Sequence, residues 1–339
     1  MTKNNYFTLT KGQQQMVLNQ ASPKVGLPPQ AIEKDIWVTT ILQLVFTLPF
    51  ADKLIFKGGT SLSKVWGVIN RFSEDIDLAV DRSLFDLEGD LTKKKIKVLR
   101  KKSSVFVRNE FAPAMQAKLK EYGLDKFCTL EAEPDGEGDG TYPEPRKIFI
   151  HYDSALSSQV GYLKPIVMLE IGSRSLFEPN EKCHIHSMME QQLPSIQSTL
   201  VDAEVATAVP GKTFLEKVFL IHELFSVEGH GMKAERKSRH LYDLYRMMDM
   251  DFAKAAVTDD ELWESIRHHR EIFTSVSGMD YTPDVRERLQ LVPRIDIHDA
   301  WKMDYEAMIE SMIYGDKPPF DELITAIAEL QERFRDENK

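Results

Sequence analysis

Lys57-Gly58-Gly59-Thr60-Ser61-Leu62, followed by Arg71-Phe72-Ser73-Glu74-Asp75-Ile76-Asp77-Leu78, is the stretch from which the fold can be read. Ile76, Leu78 and Val80 alternate with Asp75, Asp77 and Ala79, the period of a strand with one apolar face. Residues two apart on a strand point to the same side. Asp75 and Asp77 are therefore expected to project together, about 7 Å apart. Upstream, Leu54-Ile55-Phe56 reads as a short strand broken by Gly58-Gly59. Thr60 stands where it could cap a helix running through Leu62, Val65 and Trp66. Hard cations such as Mg²⁺ take oxygen ligands, usually one or two carboxylates plus substrate phosphates. Two such ions can clamp the attacking and leaving oxygens of an in-line phosphoryl displacement. A diglycine turn at a helix start lets backbone N–H groups approach phosphate oxygens, and Thr60 and Ser61 would add hydroxyl donors. Asp-x-Asp and Gly-Gly are each common by chance. It is the apolar Ile76 and Leu78 that turn the aspartates toward a cleft instead of an exposed edge.

Outward from this core, residues 30–50 read as a buried helix with Ile36, Thr40 and Leu44 at rough helical spacing. Residues 90–122 also read as helical. Strands are expected at 127–130 and 148–152, separated by an acidic Gly/Pro loop over 131–145. Another is expected at 166–171. It carries Glu170, either a further metal ligand or a salt-bridge partner of Arg174. From about residue 191 the pattern is helical. This order predicts an α/β (α+β) chain: a mixed-sheet domain with N-terminal helices over 1–190, then a helical domain over 191–339.

In the second domain, Thr213-Phe214-Leu215-Glu216 is a capping-box pattern that would start a helix at Thr213 and put Lys217 in its first turn. Phe214, Ile221 and Leu224 share a face with Lys217. A lysine on such a stripe either snorkels to water or meets an anion in a cleft. Asp243, in Arg239-His240-Leu241-Tyr242-Asp243, could simply pair with Arg239 four residues earlier.

The formal net charge of −10 excludes nucleic-acid binding through the whole surface, leaving only local basic patches. One is Lys93, Lys94, Lys95, Lys97, Arg100, Lys101 and Lys102; the other is Lys233, Arg236, Lys237 and Arg239. Each is either a solvated helix face or a phosphate contact. The polar N-terminus predicts no signal peptide, and the apolar run over 36–50 is too short and mixed to span a bilayer. Two cysteines, Cys128 and Cys183, suit a reducing cytoplasm. Asp135-Gly136-Glu137-Gly138-Asp139-Gly140 resembles the start of a calcium loop, but Arg146 stands where the bidentate glutamate should be.

Glycine-glycine, a short helix and Asp-x-Asp on a strand together resemble the DNA polymerase β nucleotidyltransferase superfamily. The fuller strings over 56–62 and 71–78 are similar to its AbiEii/AbiGii toxin branch, which includes the MenT enzymes. Glu33-Lys34-Asp35 and the stretch 301–320 fit less specifically. The resemblance implies a nucleotidyltransferase that moves NMP from an NTP, with Mg²⁺ (or Mn²⁺) on Asp75 and Asp77, and with Glu170 as a third acidic residue. It implies nucleotide binding at Lys57, Gly58, Gly59, Thr60, Ser61, Arg71 and Ser73. A lysine and an aspartate from two helices of the second domain would complete the site. Lys217 matches the first, for the triphosphate. Asp243 matches the second, either as base toward the acceptor hydroxyl or to orient Lys217. The acceptor implied is the 3′ end of tRNA, the role that of a type IV toxin with a winged-helix antitoxin, in abortive infection and phage defence. A protein or small-molecule acceptor, or nucleotide binding without turnover, are the alternatives.

Overall fold

The computed structural model describes residues 4–136, 142–156, 163–314 and 316–336. By contacts the chain divides into two units, Met1–Val65 with Ser73–Thr207, and Trp66–Phe72 with Ala208–Lys339. The divide falls later than residue 190 because strand structure continues past it. The short segment between the diglycine and the aspartates groups with the second unit.

In the first unit, the two-residue strand β1 (Asn4–Asn5) is followed by α1 (Lys11–Val25) and α2 (Pro29–Val45). Then come β2 (Leu54–Lys57), α3 (Gly58–Lys64) and β3 (Ile76–Val80). The predicted helix over 90–122 is two helices, α4 (Lys93–Phe106) and α5 (Ala112–Glu121), joined by a wider turn over Val107–Phe111. Strands β4 (Cys128–Ala132), β5 (Arg146–Tyr152), β6 (Ile166–Gly172) and β7 (Asn180–Cys183) follow. α6 (Met188–Gln192), β8 (Ile196–Gln197) and β9 (Val205–Ala208) finish the unit. The main sheet has the order β4-β5-β6-β3-β2-β9-β7. β3 runs antiparallel to β2 and parallel to β6.

The sheet has two unlike faces, and the alternation in the strands causes this. Ile148, Ile150, Val167, Leu169, Ile171, Ile76, Leu78 and Phe56 are buried, with α2 and α4 packing on β6 and α5 on β4. The other face carries Lys147, Phe149, Met168, Glu170 and Asp77, all half-buried, with Thr129 and Glu131 exposed. Parts of the acidic loop, residues 137–141 with most of the calcium-like run, lie outside the described residues. Within the described part, Asp135 pairs with Arg108 and Arg146.

The second unit is helical: α7 (Pro210–Ser226), α8 (Arg239–Met247), α9 (Asp251–Thr258), α10 (Asp260–Phe273), α11 (His298–Met312) and α12 (Phe320–Asp336). α7 is its axis, in contact with α8, α9 and α10. It starts at Pro210, not at Thr213. Proline suits a first helical position because that N–H has no partner anyway. Trp301 is fully buried and donates from Nε1 to the Gly231 carbonyl at 2.9 Å. The crossing segment is laced into this unit. Trp66 Nε1 donates to the Ala208 carbonyl (3.0 Å), Phe72 N to Met312 O (2.7 Å), and Tyr314 N to Asn70 O (3.1 Å). Among the described residues, no helix is long and apolar enough to cross a membrane.

Candidate active site

β2 ends at Lys57 in extended backbone, and Gly58 turns with φ +80° to start α3. A side chain would be strained there. It would also collide with the Asp77 carboxyl group, since a Cβ at Gly58 would overlap Asp77 Oδ2 and lie 3.0 Å from its Cγ. The close approach follows from register: Lys57 is opposite Asp77 on the antiparallel pair. The diglycine bend and the acidic strand thus form one local structure.

Asp77 has a second neighbour in register, Glu170 on β6. Like charges directly across a strand pair are unfavourable. Here they are flanked by Lys57 on one side and Lys147 on the other, with Lys147 Nζ 3.2 Å from Glu170 Oε1. Arg174 pairs with Glu144. Asp75 immediately precedes β3 and is half-buried. Asp75, Asp77 and Glu170 are oxygen donors of the kind that hold Mg²⁺ jointly with substrate phosphates. Among the described residues, no three His, Cys, Asp or Glu side chains form a ready-made metal cage.

Some of the residues read as nucleotide contacts have other work. Thr60 is the third residue of α3, not its cap. Its hydroxyl lies 2.5 Å from the Asp75 carbonyl and 2.9 Å from Ser73 Oγ. Ser61 Oγ donates to the Gly58 carbonyl at 2.8 Å. Both side chains are buried. Thr60 ties α3 to the segment bearing Asp75, and Ser61 closes the glycine turn on itself.

Glu33-Lys34-Asp35, which the resemblance touched without giving them a role, are three charges inside the apolar helix α2. Glu33, Lys34 and Asp35 are all buried. Lys34 pairs with Glu74, the residue before Asp75. Asp35 pairs with Lys64 in α3 at 2.6 Å and accepts from the Met188 backbone at 2.6 Å. Glu33 accepts from Ser154 Oγ and Ala155 N, both at 2.6 Å. The signal was present in the sequence, as three adjacent charges in an otherwise apolar helix. Buried ions must be paired, so such a run demands partners.

In the second unit, Arg71 grips Asp243 with both arms of its fork, Nε to Oδ1 at 2.6 Å and Nη2 to Oδ2 at 2.7 Å. Lys217 Nζ is 2.8 Å from Asp243 Oδ2 and 3.3 Å from His240 Nδ1. Arg71 is therefore committed to a buried carboxylate and presents no free fork to a nucleotide. Lys217 is not in the first turn of α7, and it does not snorkel: its side chain is 8% exposed. Burial pushes the Lys217 ammonium below its usual range, with Asp243 resisting the shift. Burial alone would raise Asp243, but Arg71 and Lys217 hold it well below the ordinary carboxylate range. Burial keeps His240 neutral. A carboxylate so firmly ionised is a poor proton acceptor.

Lys93, Lys94, Lys95, Lys97 and Lys101 lie exposed on α4 and Arg100 half-buried. Lys102 donates to the Phe85 carbonyl at 2.8 Å, and Lys101 lies over the Tyr142 ring. Cys128 and Cys183 are free thiols.

The chain belongs to the AbiEii family: the family model "Nucleotidyl transferase AbiEii toxin, Type IV TA system" matches residues 41–326. It is thus a nucleotidyltransferase toxin of a type IV toxin–antitoxin system. Among solved structures, the fold is similar to that of MenT4, a nucleotidyltransferase toxin from Mycobacterium tuberculosis H37Rv. The TM-score is 0.53 at 15% identity, over 97% of this chain and 88% of that one. A search of curated proteins finds no match.

Proposed function

We propose that this chain transfers a nucleoside monophosphate from an NTP to the 3′ end of tRNA, with divalent metal on Asp75 and Asp77 and Glu170 as a further acidic partner. The observation that carries the reading is the Asp77 carboxylate lying against Gly58. It puts an oxygen ligand beside a bend where backbone can approach a phosphate. Mg²⁺ or Mn²⁺ would neutralise the charge that develops on the transferred phosphoryl group. The backbone of Gly58 and Gly59, with Lys57 and Ser73, takes the phosphates, while Thr60, Ser61 and Arg71 hold these elements in place.

Lys217 serves the triphosphate. Arg71 and Lys217 share a single carboxylate, so their cluster holds a surplus positive charge that an anion would complete. Asp243 is then the positioning residue for Lys217. The exposed lysines of α4, a helix on the sheet face opposite Asp77, are candidates for contact with acceptor phosphates away from the reacting end. In this reading the protein acts in the cytoplasm, where a winged-helix antitoxin counters it, and tRNA modification stops growth in phage defence.

The test is transfer of label from α-labelled NTPs with Mg²⁺ to purified tRNA. Transfer is expected from wild type and should fall to background in Asp77→Ala and Lys217→Ala. Label recovered only in protein or a small molecule would reject the tRNA assignment, and NTP binding with no pyrophosphate release would reject turnover.

A further inference from the structure

The strand order constrains where an acceptor can sit. The diglycine bend lies at the end of β2, on one side of Asp77. Beyond Asp77 on the other side come β6 and then β5. In an in-line displacement the attacking and leaving oxygens lie on opposite sides of phosphorus. With the leaving pyrophosphate toward the β2 bend, the acceptor approaches from the β6–β5 side.

Two side chains stand there that a purely polar site would not need. Phe149 on β5 and Met168 on β6 are cross-strand partners. They follow the pair Lys147 and Glu170 along the same half-buried face, one step of about 7 Å away. Both are half-buried, whereas their neighbours on the opposite face, Ile148, Ile150, Val167 and Leu169, are fully buried. They are therefore not part of the helix-covered core. His151 continues the row, its ring centroid 6.4 Å from that of Phe149. An aromatic ring with a thioether beside it, on a sheet face next to phosphoryl-transfer chemistry, is the surface on which an unpaired base stacks.

We propose that Phe149 and Met168 form the subsite for the terminal base of the nucleic-acid acceptor; this rests on the nucleotidyltransferase reading above. The occupant is a single base and not a longer track. The next strand outward presents Glu131 at the position opposite Phe149, and a carboxylate there would repel a phosphate backbone. Stacking depends on a π-face and not on hydrogen-bond readout, so the subsite selects for an unpaired base over base identity.

Loss of one base–aromatic stack weakens binding by roughly 5- to 150-fold. Phe149→Ala is expected to raise KM for the RNA acceptor within that range and leave KM for NTP unchanged. Phe149→Trp should restore it and Phe149→Leu should not. An unchanged acceptor KM, or rescue by Leu equal to that by Trp, would overturn the proposal. A second readout does not need turnover. In protein carrying ¹³C-methyl methionine, with the Met168 signal assigned through Met168→Leu, a single-stranded RNA oligonucleotide should shift that methyl upfield by ring current, and the shift should vanish in Phe149→Ala. If wild type labels no RNA yet the Met168 shift is seen, the function assignment fails and the subsite stands. If RNA is labelled but no shift occurs, the subsite fails alone. A shift produced instead by an apolar peptide, and not by RNA, identifies a protein-binding surface and also overturns it.

Discussion

Gly58 shows how one position ties sequence to chemistry. Its backbone lies in the left-handed region, and the space a Cβ would fill is taken by the Asp77 carboxyl group. Asp77 is short, so it could make room only by swinging its carboxylate away. Gly58→Ala is therefore expected to lower label transfer by at least about a hundredfold, the two decades that a misplacement of about 1 Å at a reacting group can cost. The accompanying loss of stability should be about 1–2 kcal/mol, from the strained φ. Asp77→Ala should match it in activity without the stability loss. Thermal melts run beside the transfer assay separate the two; a Gly58→Ala enzyme of normal activity would remove Gly58 from the site.

At the scale of elements, α7 and α8 bring Lys217 and Asp243 together, and Arg71 joins them from the crossing segment. Breaking a buried pair leaves an uncompensated ion, at about 3–5 kcal/mol. Asp243→Asn should therefore destabilise by that order, since it strands two cations. Lys217→Met removes the surplus cation and should cost under about 1.5 kcal/mol, while still abolishing transfer. Urea melts of both variants test this; equal destabilisation would mean that Lys217 is structural. The same logic applies to α2, where Lys34 and Asp35 anchor Glu74, just before Asp75, and Lys64 of α3.

For the whole molecule, buried histidines set the acid limit. His222 accepts from Gln290 N at 3.0 Å and lies 2.6 Å from Ser226 Oγ. Burial brings its pKa down to about 4. Unfolded, it would titrate near ~6.5. As pH falls from there toward 4, the unfolded state takes up the proton first, so stability declines across that window, by on the order of 3 kcal/mol. His240 acts in the same direction. Asp243 has the opposite shift: its contribution is intact above the ordinary aspartate range and is lost as pH drops below it. Urea midpoints should be flat above pH 7 and fall between pH 6.5 and 5, with a shallower fall in His222→Gln. A midpoint constant from pH 7 to 5 would contradict the buried neutral state.

The strand pattern around Asp77, the bend at Gly58 and the helical character of the later half were all legible in the sequence. Each is a local matter of side-chain period or backbone freedom. Partnership was not legible. That Arg71 grips Asp243 and not a phosphate, and that Thr60 turns inward to the Asp75 carbonyl, are buried pairings between segments apart in the chain. Burial decides them, because an ion or hydroxyl taken out of water binds whatever partner the fold supplies, and only tertiary structure determines which partner that is.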